Sequence, residues 1–356
     1  MTMTNQPAYL NLIEPDSYPE IFFDHPPAAF RAWRGAAGQP LFKTSFDLLT
    51  TLDPSLRERL RQTPLFKYWS GLLTWPACFA GTTVTEYAPV LQDLPPEEVL
   101  AELFREGGDS SLLIVKDLPL ASPLLPAQNS EYAQKLVAAG IERGFFELSG
   151  QALAYVPVDF SDIDEYLGRL SHSRRKDLRR KMKSASRLSM EVLELGHDFL
   201  TAPEILNDFY DMYLEVFRQS EIHFDLLEPG FFKALLSGRY GRGFAVIYRQ
   251  GEYLIGYNIC LVHRGCLIDK YIGFRYPQAR ELNLYFVSWL YNLELALSKN
   301  LDYYVAGWTD PEVKASLGAK FTFTRHLVWI KNPLLRIAMK PLRQLFEADK
   351  KTVGAL

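Results

Sequence analysis

The chain has 356 residues, 48% of them apolar and 23% charged, with a formal net charge of −3. That balance fits a soluble globular protein with one large core or two ordinary ones; it excludes a disordered chain and any argument for nucleic acid from global charge. Three cysteines, Cys78, Cys260 and Cys266, show no metal-ligand spacing and no even disulfide count, so no metal centre and a reducing, cytoplasmic setting are expected.

The opening MTMTNQPAYLNLIEPDSYPE lacks the basic flank and apolar run of a secretory leader, and no later stretch is long and apolar enough to span a bilayer. Residues 1–44, rich in proline and glycine, read as an irregular lead-in. A first mixed lobe follows over 45–160. Its helical pattern starts at Phe46, with Asp53-Pro54 as cap and first turn. Trp69 to Phe79 and Thr82 to Tyr87 read as strands split by Gly81, and Pro95-Pro96 opens a helix. A buried strand at Ser111 to Val115 precedes a proline-rich loop, Leu118 to Pro126. A helix from about Glu131 stops at Gly144, and two strands, Phe145 to Leu148 and Ala152 to Val158, close the lobe.

A second lobe spans 161–332. It opens on SHSRRKDLRRKMKSASRL, residues 171–188, a basic amphipathic helix in which Asp177 alone opposes eight cations. A solvated face is the common fate of such a run; an anionic partner, tRNA or an anionic membrane surface, is the other reading, with Arg175 and Arg179 among the contacts. Helices from about Pro203 to Arg218 and from Pro229 to Leu236 come next. Phe244 to Tyr248, Tyr253 to His263 and Leu267 to Phe274 then form an antiparallel meander.

The stretch Lys270 to Trp308 reads as strand, polar loop, long helix and parallel strand. Ligands of such units bind beyond the carboxyl ends of the strands, near the helix N-terminus, which places Arg275, Gln278, Arg280 and Asn283 at a cofactor or substrate. Strand alternation puts Asp269 and Tyr271 on one face, as a candidate base and acid, and Lys270 on the other. Tyr257 and Asn258, next to Gly256, mark a bulge that can free an N–H for an oxyanion, although such a glycine more often relieves packing. Trp308 and Lys314, just past the second parallel strand, suit substrate, with Lys314 on a phosphate or carboxylate. Neither His172 nor His223 has a nucleophile at triad spacing. Residues 333–356 form a final amphipathic helix with Arg336, Lys340 and Arg343.

This order of elements resembles the GNAT acyltransferase fold, and three stretches resemble its FemAB-like branch: the DIDEYL run at 162–167 leading into SRRKDLRRK, the Lys270 to Trp308 unit, and Gly307 to Lys320 with Lys314 and Leu317-Gly318. The resemblance covers about residues 130–330. It implies an α/β protein with mixed sheets in two tandem GNAT-like lobes. It further implies an N-acyltransferase with acyl-CoA as co-substrate and a small-molecule or cell-envelope amine as acceptor, cytoplasmic or peripheral at the inner membrane face. One departure stands out. Loop 275–283 has no glycine to hold a pyrophosphate and carries Glu281 instead. Fem-type transfer from aminoacyl-tRNA to a cell-wall precursor therefore stays open, as does a non-catalytic module that binds RNA or anionic lipid.

Overall fold

The computed structural model describes residues 8–51, 54–220 and 224–339. His223 and the expected helix beyond Met339, with Lys340 and Arg343, lie outside the described residues. The chain divides into two compact units, residues 1–12, 22–152 and 322–356 in the first and 13–21 and 153–321 in the second.

In the first unit, strands Arg31–Arg34, Pro40–Asp47 and Thr74–Ala80 pair antiparallel. Thr74–Ala80 then pairs parallel with Leu112–Ala121, which is antiparallel to Lys320–Ile330. The LLIV run of Leu112 to Val115 is buried at every position, as a strand covered on both faces requires. Helices Pro96–Glu106 and Ala127–Glu142 complete the layer, with Val99, Leu103, Leu136 and Phe145 packed against Leu41, Leu113 and Leu327.

Several sequence expectations fail here for local reasons. The lead-in is not irregular, because its glycines sit in one turn. Gly35 and Gly38 close a hairpin between Arg31–Arg34 and Pro40–Asp47, with Gly38 at φ 93 and Gly35 N–H on Gln39 O at 3.0 Å. Phe46 belongs to a strand rather than a helix. Thr82 to Tyr87 is not a strand; the Thr82 and Thr85 hydroxyls bond each other at 2.7 Å, and that of Thr85 donates to Tyr87 O at 2.8 Å, holding a compact turn. The proline-rich loop begins as strand, since Leu112–Ala121 runs through Pro119. The two strands around Gly150 are a single one, Phe146–Pro157.

The second unit is built on the meander Gly243–Gln250, Tyr253–His263 and Cys266–Phe274, flanked by Ser189–Glu194. Tyr303–Gly307 lies parallel to the start of Cys266–Phe274 and antiparallel to residues 154–157. Helix Leu284–Ser298 covers one face, where Trp289, Leu290 and Leu293 join Tyr248, Cys260 and Tyr304 in the core. Helices Pro203–Gln219 and Pro229–Leu236 cover the other. There Phe209 stacks on Tyr257 at 4.0 Å between centroids, and Phe231 and Phe232 meet Tyr271 edge-on. The basic segment is α-helical over His172–Lys181 and 3-10 over Met182–Arg187.

Candidate active site

Parallel pairing between Cys266–Phe274 and Tyr303–Gly307 stops at Ile268 and Val305. Beyond that point the strands part, and a Cβ added at Gly307 would meet nothing closer than Asp269 O at 4.0 Å. Just there the neighbouring antiparallel ladder slips. Cys260 pairs with Asp269 and Ile259 with Tyr271, so Lys270 has no opposite number. A bulge of one residue reverses the alternation that follows it. Asp269 consequently faces helix Leu284–Ser298, while Tyr271 faces the opposite helices. The expected Asp269–Tyr271 pair is thus divided between two faces.

Asp269 is the centre of a polar cluster in an otherwise apolar core. Asn258 Nδ2 donates to both its oxygens at 2.9 Å, Asn292 Nδ2 to Oδ2 at 3.0 Å, and the Tyr304 hydroxyl to Oδ2 at 3.0 Å. Oδ1 has only the shared Asn258 bond and the Cys260 thiol at 3.9 Å among these partners, leaving it capacity for one more donor. The buried Lys314 ammonium donates to Ala306 O at 2.6 Å and adds positive charge nearby. Burial lifts the Asp269 carboxyl to about 6, against the lowering effects of Asn258, Tyr304, Lys314 and Asn292. Taken with its backbone the residue is half-buried, while the carboxyl itself is buried.

Because a carboxylate only accepts, both amides must turn Nδ2 toward it. Oδ1 of Asn258 and of Asn292 are left buried without a partner, as are the hydroxyls of Tyr248 and Tyr285. Covalent geometry keeps each amide oxygen within about 5 Å of the carboxylate. A ligand or water rich in N–H or O–H groups fits such a set.

The other expected residues fall elsewhere. Tyr257 stacks on Phe209 and donates to Phe209 O at 3.0 Å, on the face away from Asn258. Tyr271 accepts from the Tyr18 hydroxyl at 3.3 Å. Gly256 makes room for Leu284 and Phe274, the packing role, and the ladder with Gly243–Gln250 also slips between Leu254 and Gly256, where the bulge was expected. In the polar loop, Arg275 pairs with Asp208 and reaches Glu215 at 3.7 Å; Arg280 bonds Gln219 and lies over the Tyr276 ring. Each guanidinium thus has a partner within the protein and N–H groups to spare. Gln278 opens the short helix Gln278–Glu281 and is exposed; Asn283 adopts φ 51 before the long helix and caps it with no side-chain bond. Arg179 pairs with Asp164 at 2.8 Å and Arg175 reaches Gly168 O at 3.4 Å, both on the basic helix. Trp308 is half-buried just past Gly307. Lys314, expected on a substrate phosphate or carboxylate, is buried beside Asp269. Among the described residues no group of His, Cys, Asp and Glu has the arrangement of a metal site, and none of their helices is long and apolar enough to cross a membrane.

Asn292, Tyr304 and Cys260 were not anticipated. Asn292 was the detectable one, an amide within the apolar run LYFVSWLYNLELALS.

A strand joined to a parallel partner through a helix recurs in both units, at Thr74–Ala80 and Leu112–Ala121 and at Cys266–Phe274 and Tyr303–Gly307. The protein is an α/β pair of tandem GNAT-like lobes. Residues 127–353 match the FemAB-like family, described as peptidoglycan biosynthesis/recognition, and the chain belongs to that family. The C-terminal domain of a putative lysylphosphatidylglycerol synthetase from Agrobacterium fabrum aligns with a TM-score of 0.53 at 12% identity, covering 94% of this chain and 96% of that one. L-PGS from Bacillus licheniformis also gives 0.53, at 9% identity over 95% and 98% of the two chains. At such identities the likeness is one of fold. Among curated proteins, putative 8-amino-7-oxononanoate synthase 2 of Mycobacterium tuberculosis is 25% identical over 282 residues, 74% of this chain and 34% of that protein. The chain therefore spans about a third of the length of the curated relative it matches.

Proposed function

We propose that the protein is an N-acyltransferase in which Asp269 is the base that frees an acceptor amine for attack on an activated acyl group. The carrying observation is a carboxyl lifted to about 6, with capacity at Oδ1 for one more donor, at the point where two parallel strands part. Below that value the carboxyl holds its proton; above it Oδ1 can take one from an ammonium. The nitrogen lone pair then attacks the acyl carbon, a C–N bond forms, and the bond to the donor's leaving group breaks. The leaving group departs with the electron pair and takes up, through solvent, the second proton that the nitrogen sheds as the amide forms.

An acyl-CoA thioester is the donor favoured by the GNAT-like fold. Aminoacyl-tRNA is the second reading, and one observation favours it: loop 275–283 has no glycine, and Arg275 and Arg280 are held by Asp208, Glu215 and Gln219. The family description points to a cell-envelope amine as acceptor, which suits an enzyme in the cytoplasm or at the inner membrane face. A non-catalytic lobe pair that binds RNA or anionic lipid through the basic helix is the reading to which a failed test returns.

The test is thermal unfolding with acetyl-CoA, a long-chain acyl-CoA or charged tRNA, followed by turnover with the donor that binds. A donor at about 100 times its Kd should stabilise by about 2.7 kcal/mol. Asp269→Asn should bind that donor normally and lose about 10²-fold or more in kcat. Undiminished turnover in that variant would remove Asp269 from the chemistry, and no shift with any donor would favour the binding module.

A further inference from the structure

Ten large apolar residues stand exposed among the described ones, and six of them fall in two short segments of the first unit: Leu65, Tyr68 and Leu72, and Leu334, Leu335 and Ile337. Apolar residues scattered singly over a surface need no explanation; clusters do. In the first segment a helical turn, Phe66–Trp69, runs into the 3-10 turn Ser70–Leu73. Leu65, Tyr68 and Leu72 recur at helical spacing, 69%, 73% and 75% exposed. The second segment is helix Pro333–Met339, with Leu334 76% and Ile337 69% exposed, three residues apart.

Cations outnumber acids beside both. Ahead of the first segment, helix Pro54–Arg61 ends on the exposed Arg59 and Arg61, and its Glu58 is bonded by Gln62 at 3.0 Å. Lys331 and Arg336 flank the second, and residues 331–339 hold no acid. Arg336 lies over the Trp329 ring and reaches Gly144, next to the helix whose Ile141 is also exposed.

A protein partner needs about 800 Å² from each side, more than three side chains on a turn can offer. A bilayer sets no such minimum. It takes aliphatic side chains into its acyl boundary, holds tyrosine at headgroup level and draws bordering cations to anionic phosphates. Both segments adjoin the same end of the sheet, since Ala77, just after the first, and Ile330, just before the second, both pair with Leu112. We propose that these two segments are a docking surface for an anionic membrane, with Leu65, Leu72, Leu334 and Ile337 entering it, Tyr68 at the interface, and Arg59, Arg61 and Lys331 on lipid phosphates. The surface is independent of the Asp269 reading and adds a location to it: the first unit meets the bilayer.

The experiment is co-sedimentation of the full chain with phosphatidylcholine vesicles, with and without phosphatidylglycerol. The protein should partition to the mixed vesicles and much less to neutral ones. Leu65→Glu/Tyr68→Glu/Leu72→Glu should lower that partition at least tenfold. Arg59→Glu/Arg61→Glu should lower it by about fivefold or more per residue, on anionic vesicles alone. All five side chains are exposed, so circular dichroism and the thermal midpoint should stay as in the parent. Asp269→Asn should sediment like the parent, which separates this surface from the chemistry. No sedimentation with anionic vesicles would overturn the proposal, as would sedimentation unchanged in the leucine and tyrosine variant. Light scattering that shows a dimer, dissolved by that variant, in protein that ignores vesicles would assign the surface to a second copy of the chain.

Discussion

Asp269 shows how one side chain is tuned by what surrounds it. Burial alone favours the neutral acid, and the hydrogen bond from Tyr304 pulls the other way by favouring the carboxylate. Tyr304→Phe should therefore raise the Asp269 value further. In a pH profile of kcat/KM the acid limb, expected near 6, should move up by about one to two units, the worth of a hydrogen bond to a charged group. An unmoved limb would assign that titration to another group. The same residue leaves a mark on stability. Because its folded value, about 6, exceeds the ordinary 3.8, the native state holds the extra proton between those values. Stability contributed below pH 4 is then lost as pH rises through 6, about 3 kcal/mol in all. Urea titrations should show this decline in the parent and a flatter profile in Asp269→Asn.

At the scale of elements, period was legible and pairing was not. The meander, helices Pro203–Gln219 and Pro229–Leu236, and helix Leu284–Ser298 follow from apolar spacing and turn residues, signals carried within each segment. The bulge at Lys270 is a property of two strands together, so alternation along one strand misplaced Tyr271. The partners of Arg275 and Arg280 were out of reach for a similar reason: Asp208, Glu215 and Gln219 arrive from a helix some sixty residues earlier. The bulged Lys270 has a role of its own. Its ammonium meets Glu14 at 3.0 Å with both side chains almost fully buried, tying residues 13–21 to the second unit. Lys270→Met strands a buried carboxylate and should cost about 3–5 kcal/mol, whereas Lys270→Met/Glu14→Leu should recover most of the loss. Urea midpoints of the two variants check this, and equal losses in both would mean that the charge pairing is not what holds the segment.

Over the whole molecule, the order of the chain and the order of the units disagree. The first unit opens the sequence, yet its sheet includes Lys320–Ile330, which pairs with Leu112–Ala121 across the entire length of the second unit. Ending the chain before Lys320 should leave Leu112–Ala121 without that neighbour. Amide exchange should then speed up across residues 112–121 and stay slow in Tyr253–His263. Protection retained at 112–121 would show that the first unit closes without its last strand. The two-lobed build was legible from the succession of helices and strands, but this interleaving was not, because a strand's neighbours are set by contacts far apart in sequence. During synthesis the consequence is a wait. At about 5–20 residues per second, roughly 10–40 s separate the emergence of Ala121 from that of Ile330. In that interval the half of the protein made second can finish folding while the half made first still presents an open edge, and a chaperone that shields such an edge on the ribosome would have its longest work to do on the part of the chain that left the tunnel earliest.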